Sequence, residues 1–553
     1  TVGYYDGLPK DLVTPRTQTL RGMALIREGD ALFGSGEMNA AFKNFDEAQS
    51  AFEGLRKQGN TSEEVTYGLA LVLFSKGKGS LGGRAFGTAK QLEQAADLLR
   101  PLARAPDASR QVRQTYAEIL NYLSHTQPKE AGVATAEEAR TILKGLGALE
   151  LSDLRATAAY ADTADSESRH LAVLGRLDEA KVLAGEVYDL AEKVLAQRPG
   201  DMQSLANRYL AADMLSYLAR RQNNYVVATE FAQRSVLAAE DAIRFNPSDL
   251  ENWTSLALAK ETIATLEFEQ GKIAQAIATG QAARLLAQDP RLPASLMPSL
   301  ANGVLSNLAI LQAQAGQAAD AELTRNLVVR GIQETIDQYA QDDLRRAIFS
   351  FFFKRTMARL RLIEDQPQAA LSLVSEELDR LRKITLPAEN QSAQRAMRNM
   401  RRGLLNIGSN AALQLGQYAQ AETMARQWQG IPFDTLAGGR GDPIEQEARI
   451  SAVLAHAIAQ QSRGDEALKT LEPAMAYYRK QLQTGSKSTV FRRDFAYALY
   501  VSALAQDDNA QGRAKRAANL AEATKLLDGL SAEAKQLAYM RLLSGWIAQA
   551  KRS

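Results

Sequence analysis

The chain has 553 residues, of which 45% are hydrophobic and 24% charged, with 66 Lys+Arg against 64 Asp+Glu and a formal net charge of +2. This composition belongs to a globular protein, and its charge balance excludes a chain that grips nucleic acid over its whole surface. Cysteine is absent and histidine occurs only at His125, His170 and His456, which excludes disulfides, thiolate metal sites and thiol nucleophiles.

In chain order, residues 1–15 read as a lead-in segment, followed by helical hairpins over 16–150, 151–340 and 341–553. Apolar residues recur at helical spacing throughout, proline is scarce and strand-type alternation is nowhere sustained, so the fold class is all-α. Breaks recur about every 48 residues: Gly36, Gly83, Gly132, Gly175, Asn223, Gly271, Gly316, Gln366, Gly416, Gly464 and Gly512. Most have the form Gly-x-φ-x-x-Ala, as in Gly271-Lys-Ile-Ala-Gln-Ala276. The Gly or Asn supplies a left-handed turn, and the small Ala lets two antiparallel helices approach closely. A fixed period of this size predicts a solenoid, here of about eleven hairpins.

Few groups look able to do chemistry. Gly77-Lys-Gly79-Ser-Leu-Gly82-Gly83 matches a phosphate-loop pattern in letters, but it follows a helical stretch instead of a strand and reads as a flexible inter-helix loop. Arg440-Gly441-Asp442 spells an adhesion tripeptide in a glycine-rich connection, where three letters carry little information. The histidines fall in separate repeats, so no H-x-x-x-H metal pair exists. Acid pairs such as Asp342-Asp343 and Asp507-Asp508 fit helix capping. No catalytic set, metal site or cofactor site is expected, and the chain is read as non-enzymatic.

Arginine is the exception. Arg346, Arg395, Arg398, Arg402, Arg449, Arg492 and Arg493 fall in the first helices of the C-terminal hairpins. Two readings stay open. They form a ladder that holds the carboxylates of an acidic protein or peptide bidentately, or they pair with acids of neighbouring repeats on a solvated face, as charge runs generally do. The run Phe349, Phe351, Phe352, Phe353 covers too many sides of one helix to be only core; it is either a fully buried central helix, the favoured reading, or a ligand patch. It is also the most apolar segment, flanked by Arg346 and Lys354 and far shorter than the ~20 residues of a membrane span.

The hairpins resemble tetratricopeptide repeats. The first unit, Gly29…Leu32…Gly36-Glu-Met38…Ala41…Phe45…Ala48, follows that pattern, as do the turns at Arg198-Pro199-Gly-Asp201 and Asn246-Pro247-Ser-Asp249 and the placement of Trp253 and Leu256. Each helix carries about seven residues beyond the standard repeat, close to two turns, so the buried face is preserved. The resemblance implies a right-handed superhelix whose first helices line the inner face. The opening Tyr4-Tyr5-Asp-Gly-Leu8-Pro9-Lys-Asp-Leu12-Val-Thr14-Pro15, with Arg21, Ala24, Leu25, Gly29 and Asp30, resembles the start of the extracytoplasmic repeat region of proteobacterial membrane signalling proteins such as eukaryotic-like serine/threonine kinases. That likeness implies a periplasmic sensor or interaction domain, with any membrane anchor or catalytic module in a preceding segment. Thr1 in place of Met fits a processed form or a piece of a longer chain. The alternative is a free-standing scaffold that binds a protein or peptide partner.

Overall fold

The computed structural model describes the chain apart from residues 1, 10–11, 35–36, 82–88, 293–299, 339–342, 387–390, 433–442 and 553. The described residues form helices and no strand. They divide into two compact units, residues 1–197 with 386–394, and residues 198–385 with 395–553.

The N-terminal unit holds four hairpins: Pro15–Gly34 with Met38–Lys57, Glu63–Leu81 with Ala89–Arg104, Arg110–Ser124 with Lys129–Gly145, and Leu154–Val173 with Leu177–Gln197. The C-terminal unit holds seven. They are Met202–Arg221 with Tyr225–Phe245, Leu250–Glu269 with Ile273–Ala287, Ser306–Gln314 with Ala318–Gln338, Asp343–Ile363 with Pro367–Arg382, Gln391–Gln414 with Tyr418–Gln429, Pro443–Ala459 with Gly464–Gln483, and Thr489–Leu504 with Ala510–Asp528. A closing pair, Ala532–Lys535 and Ala538–Ala550, follows. The helix Ser306–Gln314 is entered through a π-turn at Ala301–Leu305. Within each unit, helices pack on their hairpin partners and on neighbouring hairpins, as Tyr225–Phe245 does on Met202–Arg221 and on Leu250–Glu269, the arrangement of a helical solenoid.

The hinges show why the period exists. Gly175, Asn223, Gly271, Gly316, Asp365, Gly416 and Ser462 each adopt a left-handed backbone between two helices of a hairpin. The following amide then reaches back to satisfy a carbonyl left open by the ending helix: Arg176 N to Leu171 O at 2.9 Å, Lys272 N to Glu267 O at 2.9 Å, Gln417 N to Ala412 O at 2.9 Å. Just beyond six of these hinges, Ala180, Ala228, Ala276, Ala370, Ala421 and Ala467 are wholly buried where the helices cross, and Ala321 beyond Gly316 is nearly so. Asp153, Asp201 and Asp249 cap the next first helices by accepting backbone N–H bonds.

Some expected hinges move. Gly36 and Gly83 lie outside the described residues. Gly132 and Gly512 sit inside second helices, where an added Cβ would meet Ser124 O at 2.7 Å and Asp507 O at 2.0 Å. They take the place of the small crossing residue, and the turns come earlier. Gly77 to Leu81 continues the helix Glu63–Leu81 instead of forming a loop, with Gly77 pressed against Leu92. Phe351 is buried, and Phe349, Phe352 and Phe353 are half-buried against the core of the preceding hairpins, so this helix is not the fully buried one expected.

The C-terminal unit is fastened to itself. Ser531 Oγ donates to Gly271 O at 2.7 Å, Ala274 N donates to Glu533 Oε2 at 2.9 Å, and Tyr539 N donates to Gln314 Oε1 at 3.1 Å. Asn223 Nδ2 donates to Gln481 Oε1 at 3.2 Å. Its last hairpins therefore return to its first ones.

Candidate functional site

Inside this unit lies a hollow of about 440 Å³. Four first helices and the closing helix supply its wall. Helix Asp343–Ile363 contributes Arg355, Arg359 and Leu362; helix Gln391–Gln414 contributes Gly403, Asn406, Asn410 and Gln414. Gln446, Arg449 and Val453 come from Pro443–Ala459, and Arg493, Asp494 and Tyr497 from Thr489–Leu504. Tyr539, Leu542 and Trp546 close one side, with Trp428 and Tyr478 behind. The three-, four- and seven-residue spacing within each helix puts these side chains on one face, so stacked first helices build a continuous lining.

Among the described lining residues, four arginines face one carboxylate. Two of the four are neutralised. Arg449 Nε donates to Asp494 Oδ2 at 3.0 Å and its Nη2 to Glu445 Oε1 at 2.6 Å. Arg493 Nε donates to Asp494 Oδ1 at 2.7 Å. Burial opposes the Arg449 charge, but Asp494 and Glu445 overcome it and leave its pKa raised. Nearby, Arg220 forms a fork on Glu269 at 2.8 and 2.5 Å, and Tyr225 OH donates to the same carboxylate at 3.1 Å.

Arg355 and Arg359 differ. Arg355 donates to Asn302 Oδ1 at 3.0 Å and lies over the rings of Phe351 and Phe352, but its buried Nε has no hydrogen-bond partner among the described residues. Burial, and then the charge of Arg359, push its pKa down to about 10. Arg359 has no hydrogen bond or ion pair to any described residue. Burial lowers its pKa, Tyr539 opposes that shift, and Arg493 and Arg449 add to it. Among the described residues, no carboxylate is paired with either guanidinium. Arginine stays protonated in proteins, so these shifts register an uncompensated charge and not a neutral side chain.

Of the arginines expected from the sequence, the hollow brings together Arg449 and Arg493. Arg402 is buried and donates to the carbonyl of Ile431. Arg492 lies against Gly529. Arg346 is exposed near the start of its helix, and Arg395 and Arg398 precede the part of their helix that reaches the wall. Arg355 and Arg359 were not singled out. Their signal is an i, i+4 pair in the second half of a first helix, deeper along it than Arg346, Arg395 and Arg398.

The histidines are packed. His456 Nδ1 lies 2.9 Å from Tyr497 OH, with the rings of Tyr497, Tyr500 and Trp546 around it. His125 and His170, separate in sequence, meet across neighbouring hairpins with ring centres 5.4 Å apart. Ser166 Oγ and Ser124 Oγ lie within hydrogen-bond reach of these two rings, and Lys129 Nζ lies beside His170. No group of three or more metal-ligating side chains is found among the described residues. Arg440, Gly441 and Asp442 lie outside the described residues.

No known protein family matches the sequence, and no curated protein does. Solved structures do resemble the fold. A Rap protein complexed with competence and sporulation factor is similar over 74% of this chain and 97% of its own, with 11% identity and a TM-score of 0.38. Yeast Tom70 is similar over 96% of each chain, with 12% identity and a TM-score of 0.31.

Proposed function

We propose that the chain is a non-enzymatic, tetratricopeptide-like interaction domain whose C-terminal unit binds a protein or peptide through acidic groups. The observation that carries this reading is the arginine-lined hollow, where Arg355 and Arg359 are charged, half-buried and paired with no described carboxylate. A buried cation without a counter-ion costs free energy that a bound carboxylate recovers through charge-assisted, bidentate hydrogen bonds. The ion pairs around Arg449 hold the wall in place and belong to the architecture.

The sensor reading places this domain outside the cytoplasm, with its ligand biasing an attached signalling module. The lack of cysteine supports it, because stray thiols are a liability in an oxidising compartment. A free-standing scaffold would use the same hollow. No helix among the described residues is long and apolar enough to cross a membrane. The experiment is a peptide array probed with the full chain, in which each Asp- and Glu-containing peptide is paired with its Asn and Gln isostere. Selective retention of the acidic members is expected. Equal retention of both members would contradict an acidic partner.

A further inference from the structure

Counting charge around the hollow specifies its ligand more closely, an argument that rests on the binding reading above. Arg449 and Arg493 are matched by Asp494 and Glu445, all within hydrogen-bonded pairs. That leaves Arg355 and Arg359, one helical turn apart in the hollow, with no ion pair to a described carboxylate and with Arg355 Nε unpartnered. Both side chains are half-buried in the hollow and Arg355 Nε is shut off from solvent, so bulk counter-ions screen them less than at an open surface. The lining also holds the aromatic side chains of Tyr497 and Trp546.

We infer that the hollow is a seat for a doubly charged oxyanion, held between Arg355 and Arg359, with the ligand's apolar body against the Tyr497 and Trp546 side. A dianion leaves the site neutral, whereas a single carboxylate leaves one guanidinium uncompensated. The geometry accepts either of two sources of that charge, a dicarboxylate or a phosphate group, because the guanidinium fork matches the spacing of oxygens in both. The volume of about 440 Å³ suits a small organic anion or the end of a peptide side chain.

The test is calorimetric titration of the full chain at fixed ionic strength with inorganic phosphate, succinate and acetate, alongside thermal unfolding. Phosphate, succinate or both should bind and raise the unfolding temperature, acetate should not, and the effective probe identifies the source. Arg359→Gln should weaken dianion binding at least tenfold. Without ligand, it should unfold at a higher temperature than the wild type, because it removes an unpaired enclosed charge. Arg355→Gln serves as the second variant should Arg359→Gln fail to fold. Equal response to acetate, no response to either dianion, or unchanged affinity in the variants would overturn the seat. The acidic peptides of the array are titrated in parallel. Peptide binding without a dianion effect removes the seat and leaves the partner reading, and dianion binding without peptide binding does the reverse.

Discussion

His456 is 3% exposed and enclosed by Tyr497, Tyr500 and Trp546, and burial lowers its pKa to about 4. Burial likewise lowers His125 to about 4 and His170 to about 3. Each binds its proton more weakly folded than unfolded. Their contribution to stability is therefore present above pH ~6.5 and lost as the pH falls toward 4. Asp162 runs the other way: burial, then Asp165 and Glu118, raise it to about 7. Its contribution is present below the unfolded carboxyl pKa and lost as the pH rises through 7. Three histidines outweigh one aspartate between pH 6.5 and 4, so the unfolding free energy should fall on acidification. In a His456→Gln variant that slope should flatten by up to about 1.4 kcal/mol per pH unit. Denaturant titrations at stepped pH check this, and a slope unchanged by the variant would contradict the burial of His456. A packed or rim position for His456 was legible from its Ala-rich helix. The contact between His125 and His170 was not, because it joins residues in separate repeats that only the stacking of hairpins brings together.

The hairpin hinge is the element on which the fold depends. A left-handed residue costs an ordinary side chain about 1 kcal/mol or more, and glycine far less. Ser462 stands there with φ of 61° and no glycine. Ser462→Gly should stabilise the chain by about 0.5–1 kcal/mol. Gly464→Ala, two residues on, should destabilise it by about 1–3 kcal/mol, because its Cβ would lie 2.5 Å from the Ala505 carbonyl oxygen. Chemical denaturation of the two variants separates turn conformation from helix approach, and equal effects would contradict the assignment. Hinges were legible where glycine occupies the turn, as at Gly175, Gly271, Gly316 and Gly416. They were displaced where Asp365 or Ser462 takes that conformation, or where the glycine serves close packing, as at Gly132 and Gly512. A glycine in sequence marks either need without saying which.

At the largest scale the solenoid was legible because its period repeats eleven times, while the self-fastening of the C-terminal unit was not. Ser531 on Gly271, Glu533 on Ala274 and Gln314 on Tyr539 are single contacts with no periodic signature. They bring Tyr539, Leu542 and Trp546 to the hollow. Removing residues 530–553 should therefore abolish anion binding while circular dichroism remains strongly helical, since the stability of a repeat array is a sum of local repeat and nearest-neighbour terms. Retained affinity in the truncated chain would show that the closing helix is no part of the site. The arginine wall was half legible: the residue type and the first-helix location were readable, but the depth along each helix needed the hinge positions that only the structure supplies. The most direct measurement is the affinity of one Glu-rich peptide for the wild-type chain and for the Arg355→Gln, Arg359→Gln double variant, at matched ionic strength. The account predicts a loss of at least tenfold in the double variant and a wild-type affinity that falls with added salt. Equal affinity in both chains would place the partner elsewhere on the repeats and contradict the assignment of the hollow as the binding site.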